Sequence, residues 1–105
     1  MNSMQNELDG LRISIIHDEI IEDLGFLGDQ VVATLGSKTG PVCDPILDYE
    51  VTSENSILID KEQFNIAWEE INVEEDVISV LRNGIPTIYK IVSKPEDEKK
   101  KRNLP

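Results

Sequence analysis

Aromatic residues are scarce in this chain: two Tyr, two Phe and one Trp among 105 residues. A buried core must therefore come mostly from Ile, Val and Leu. Cysteine is scarcer still. Cys43 stands alone, which excludes an internal disulfide and fits an intracellular protein. His17 is the one histidine, so a zinc site of the usual Cys/His kind has too few ligands. No run of 18 or more apolar residues occurs, and no transmembrane helix is expected. Met1 to Asp9 lacks the basic start and apolar centre of a secretory signal, so a cytoplasmic location is expected. Basic residues are few: 10 Lys and Arg against 21 Asp and Glu, a net charge of −11.

The charge is unevenly placed. Residues 1–76 hold 18 of the acids and 3 of the bases; residues 77–105 hold the other 3 acids and 7 bases. A surface short of Lys and Arg argues against a nucleic-acid backbone as partner. It steers a basic partner instead, and it also keeps a small protein soluble. The length suits one domain with a modest core.

The densest run of β-branched and aromatic residues is Glu74 to Val92, with Asn83-Gly84 at its centre. Asn and Gly tolerate positive φ, so strands over 76–82 and 85–92 with a tight turn are expected. A helix over 73–83 competes, because Val73, Val77, Ile78, Val80 and Leu81 also share a helical face. Within the hairpin, a three-residue loop with a bulge is preferred. It pairs Ile78 with Ile88 and Asp76 with Lys90, whereas a two-residue turn pairs Val80 with Thr87.

Residues 1–10 carry few apolar positions and are expected to be flexible. Leu11 to Ile16 reads as a strand. Residues 17–25 read as a short helix, with Ile20, Ile21 and Leu24 on one side and Gly25 as its stop. Gly28-Asp29 turns into a strand over 30–35. Gly36 to Pro41 is a loop without the phosphate-binding motif order. Leu47, Tyr49 and Val51 alternate with Asp48 and Glu50, and Ser56 to Ile59 returns, giving a second hairpin. Asp60 then suits an N-cap with Gln63 three residues on. Phe64, Ala67, Trp68 and Ile71 fall at i, i+3, i+4 and i+7. That spacing predicts a helix over 61–71, docked through Phe64 and Trp68. Residues 93–105, charged and nearly free of aliphatics, read as a disordered tail. The expected fold is a single small α+β domain over 11–92: an antiparallel sheet of five to six strands with a capped helix at about 61–71 and a shorter helix at about 17–25.

Arg12-Ile13-Ser14-Ile15-Ile16, Asp18 to Gly25 and Gly28-Asp29-Gln30-Val31 together resemble the N-terminal segment of AbrB/MazE-type swapped-hairpin proteins. That resemblance implies a strand, a short helix ending in Leu-Gly, then Gly-Asp and a strand. It also implies a dimeric transcription regulator that binds DNA. The chain departs from that pattern at Ile16 and His17, where the family has Pro and Lys, and at Ile21, where it has Arg. Arg12 is the one base left to face a phosphate.

No catalytic constellation is visible. His17-Asp18-Glu19 are sequence neighbours that point different ways, and nothing in the spacing brings Cys43 to His17. Asp44, Asp48 and Glu50 are spread along a strand rather than gathered around a cation. No catalytic residue, metal site or cofactor is expected. The composition instead suggests a small acidic, non-enzymatic interaction module of the inhibitor, immunity-protein, antitoxin or adaptor type. Its partner would be a basic protein, met through carboxylates such as Asp48, Glu50, Glu69 and Glu70. Membrane and nucleic acid are not expected partners, and a homodimer is compatible with the sequence.

Overall fold

A computed structural model describes residues 3–94. Its strands are β1 (Arg12–Ile15), β2 (Ile20–Leu27), β3 (Gln30–Ser37), β4 (Val42–Cys43), β5 (Ile46–Ser53), β6 (Ser56–Ile59), β7 (Ile66–Val73), β8 (Val77–Arg82) and β9 (Ile85–Ser93), after a six-residue helix α1 (Ser3–Leu8). Each long strand pairs antiparallel with its neighbours in sequence, and β9 returns to pair with β1. The result is an up-and-down, closed eight-stranded β-barrel, with short β4 appended to β3. Closure leaves few free strand edges, the main hazard of an all-β chain.

This overturns the expected α+β fold of five to six strands and two helices. Both misread helices have identifiable causes. In β7, Ile66 and Trp68 point inward and Ala67 and Glu69 outward, as strand alternation requires. A β-bulge then lies between Glu69 and Asn72, with Glu70 at φ 50°. The extra residue shifts the parity, so Ile71 turns inward again. Trp68 and Ile71, three apart, imitate helical spacing. The cap signal at Asp60 is used, but only for one turn: Asp60 Oδ2 accepts the Phe64 N–H at 2.9 Å. Phe64 stays at the surface rather than in the core.

Over 17–25, the strand β2 replaces the short helix. Its inward positions are Glu22, Leu24 and Phe26. A carboxylate on the inward face breaks the apolar alternation by which a strand is read. Gly25, expected as a helix stop, sits mid-strand opposite Arg12 and Val32. Residues 12–31 are thus three consecutive strands, and the strand–helix–strand arrangement of the swapped-hairpin proteins is absent from them.

The hairpin over 77–93 forms, as the alternation there predicts, but with the two-residue turn: Arg82 faces Ile85 and Val80 faces Thr87. Positive φ at both Asn83 (51°) and Gly84 (84°) is the turn geometry that follows the strand twist. The Asn83 side chain also accepts the Ala67 N–H, while its own N–H donates to the Ala67 carbonyl, tying the turn to β7. The 46–53 and 56–59 hairpin matches its expectation, with Leu47 and Tyr49 buried.

The barrel is filled rather than hollow. Tyr49, Phe26, Trp68 and Tyr89 form a chain of ring contacts through the interior, with successive centroids 5.2, 5.9 and 4.9 Å apart. Edge-on and tilted rings of this kind pack well against aliphatic neighbours. Residues 3–8, expected to be flexible, form α1 and add Met4 and Leu8 to the core. Asp9 fixes the helix to the β2–β3 turn by accepting the Gly28 N–H at 2.8 Å. The tail from residue 95 onward lies outside the described residues. Among the described residues, no helix is long and apolar enough to cross a membrane.

Candidate functional site: a carboxylate groove and a buried ion pair

Three segments meet on the outer surface beside β5. The Asp29 carbonyl of the β2–β3 turn accepts the Tyr49 N–H at 3.1 Å. The Asp48 carbonyl accepts the Asp60 N–H at 2.7 Å. These backbone bonds draw the β2–β3 turn and the β6–β7 loop toward β5. Between them lies a groove of about 290 Å³, lined by Asp29, Asp48, Glu50, Asp60, Lys61 and Glu62. Five carboxylates thus face one ammonium group. Lys61 Nζ reaches Glu50 Oε1 only at 3.9 Å, with both side chains well exposed, and such a pair contributes little. The groove keeps a local excess of negative charge.

Tyr49 supports the groove from below. It is buried, and its hydroxyl donates to the Gly28 carbonyl at 3.1 Å. Burial pushes the Tyr49 hydroxyl up to about 12, and the nearby charges of Asp9 and Asp29 add to the effect. The phenol therefore stays neutral at physiological pH.

Of the four carboxylates anticipated from sequence, the structure brings Asp48 and Glu50 into this groove. Glu69 lies on β7, separated from β5 by β6, and Glu70 sits in the β7 bulge; neither lines the groove. Both are exposed. Asp29, Asp60 and Glu62 were not anticipated. They come from the β2–β3 turn and the β6–β7 loop, which the Asp29–Tyr49 and Asp48–Asp60 backbone bonds draw toward β5.

A second polar cluster lies inside the barrel, also unanticipated. Glu22, 2% exposed, receives Arg82 in bidentate fashion: Nε to Oε2 at 3.1 Å and Nη2 to Oε1 at 2.7 Å. The Tyr89 hydroxyl donates to the same Oε2. Burial alone would lower Arg82; the Glu22 carboxylate, by hydrogen bond and charge, more than reverses this and raises it. Burial raises Tyr89, and the Glu22 charge raises it further. The carboxylate is thus held by a cation and a phenol, and both its oxygens are satisfied. The one available sequence signal was parity: Glu22 shares the inward face of Leu24 and Phe26, and Arg82 that of Ile78 and Val80.

His17 and Cys43 stay apart from any catalytic arrangement. Cys43 is exposed on β4. His17 Nδ1 accepts the N–H groups of Glu19 and Ile20 at 3.0 and 3.1 Å, which organises the β1–β2 loop. Among the described residues, no group of three or more His, Cys, Asp or Glu could hold a metal ion. No family model, characterised protein or solved structure matches the chain.

Proposed function

We propose that this protein is a small cytoplasmic, non-enzymatic interaction module that binds a basic protein partner through the β5 groove. The observation that supports the reading most is the convergence of Asp29, Asp48, Glu50, Asp60 and Glu62 around a single lysine. Separate surface carboxylates steer a cationic partner only weakly, and salt screens them beyond about 8–10 Å. Five within one groove act together on one Lys or Arg side chain. Backbone hydrogen bonds fix the three segments before the partner arrives, so less ordering is lost on binding.

The partner presents a Lys- or Arg-bearing loop or strand, and Asp48 and Glu50 on rigid β5 set the register. Binding is tested by affinity capture from the native extract on immobilised protein, at low and high salt, with Asp48→Asn/Glu50→Gln as control. A basic protein retained at low salt, released at high salt and lost from the variant supports the reading. Equal retention by the variant rules out the groove.

A further inference from the structure

The end of the barrel that carries the β1–β2 loop and the Asn83-Gly84 turn holds a recess of about 410 Å³. Its rim is apolar. Ile16, Ile20, Ile85 and Ile88 are 59%, 42%, 66% and 48% exposed, and all four line it. Isolated exposed aliphatics are ordinary, but four isoleucines converging on one concavity are the pattern of a binding site.

The polar floor is specific. Arg82 and Glu22 line the recess. Arg82 spends Nε and one Nη2 hydrogen on Glu22, and its side chain remains 30% exposed. Nη1 has no hydrogen-bond partner among the described residues and is not among the buried unpaired atoms, so it reaches solvent, and Arg82 is one of the residues that line the recess. His17, on the rim, uses Nδ1 as an acceptor, which places its proton on Nε2. The polar residues that line the recess, Arg82 and His17, thus each keep an N–H that no described residue uses. Glu22 presents little acceptor surface to a ligand, because it is almost wholly buried and both its oxygens already accept hydrogen bonds from Arg82 and Tyr89.

Charge selects the ligand further. The Glu22–Arg82 pair is neutral as a unit, and the chain carries a net charge of −11. An anion is therefore repelled over the approach and finds no uncompensated cation on arrival. We propose that this recess binds a small, uncharged, mostly aliphatic molecule bearing a hydrogen-bond-accepting oxygen. The oxygen takes the Arg82 N–H, and the chain of carbons lies against the four isoleucines.

The test is a fluorescence titration of the full chain with Nile red, an uncharged dye with a carbonyl oxygen, followed by displacement with 2-octanone and with octanoate. The expected result is saturable one-site binding, displaced at least tenfold more effectively by the ketone. Ile20→Glu and Ile85→Glu change exposed side chains and leave the barrel spectrum intact, and each weakens binding tenfold or more. Val92→Glu, an exposed site on the outer wall, changes it less than twofold. Non-saturable binding, equal loss in Val92→Glu, or better displacement by octanoate each overturns the proposal. So does a dimer by light scattering that Ile85→Glu dissociates, which would assign the rim to a second copy.

Discussion

Replacing Arg82 by Met removes the cation from a carboxylate whose side chain is only 3% exposed. Glu22 projects inward from β2 on the same face as Leu24 and Phe26. Removing one partner of a buried ion pair costs about 3–5 kcal/mol, mostly from the charge left behind. Tyr89 still donates to Glu22, which places Arg82→Met near the lower end, about 3 kcal/mol. Glu22→Gln is milder. It leaves a guanidinium that is partly exposed and keeps an oxygen acceptor, so about 1–2 kcal/mol is expected. The double variant removes both charges and costs less than the two single changes added, with a coupling of about 1–3 kcal/mol. Urea unfolding, followed by circular dichroism and by the single Trp, reads all four proteins. A loss of about 3 kcal/mol moves the midpoint by roughly 1–3 M. If Arg82→Met stays within about 1 kcal/mol of the parent and the double variant is additive, the buried pair does not exist. A chain with a helix over 17–25 would leave both side chains solvated and give that null result.

Alkaline titration makes a second test. Tyr49 is raised from 10.0 to about 12, and Tyr89 is raised further. A raised acid contributes stability below its unfolded value and loses it as pH climbs through the folded one. The Tyr49 contribution is thus present below pH 10 and disappears between pH 10 and 12. Absorbance at the phenolate band should show neither of the two tyrosines ionising near pH 10 in folded protein; one that does, with the fold intact, refutes the burial. Gly84→Ala meets no atom within 4 Å but must hold φ 84°, so a loss of about 1–2 kcal/mol is expected in thermal unfolding. Gly36→Ala is a steric test. Its Cβ would strike the Pro41 carbonyl oxygen and come 2.8 Å from Val42 Cα, so β4 must shift, with about 1–3 kcal/mol lost. An Ala variant at position 36 as stable as the parent would show that β4 does not pair there.

Strands with clean alternation were legible in the sequence. Leu47, Tyr49 and Val51, and the pair of runs around Asn83-Gly84, gave their hairpins because each apolar side chain sits where a two-residue period puts it. What failed was the period where the barrel departs from regularity. The bulge at Glu69–Glu70 inserts one residue and turns a strand pattern into an apparent helical one. Glu22 hides β2 because its inward neighbours are apolar and it is not. Its partners Arg82 and Tyr89 lie 60 and 67 residues away, a distance no local reading spans. The preferred hairpin register failed for the same reason: it matched Asp76 with Lys90 across the turn but took no account of a carboxylate waiting for Arg82 inside. The groove was half legible. Asp48 and Glu50 stand out as the polar face of a clean strand, while Asp29, Asp60 and Glu62 join them only through tertiary hydrogen bonds.

The most direct test of the groove as a docking site is the affinity of the identified basic partner for the parent and for Asp48→Asn/Glu50→Gln, measured by calorimetry at two salt concentrations. At least a tenfold loss of affinity is expected in the variant, with a weaker salt dependence, while Glu69→Gln/Glu70→Gln binds within about twofold of the parent. Undiminished affinity in the groove variant, or an equal loss from the β7 variant, would contradict docking at the groove.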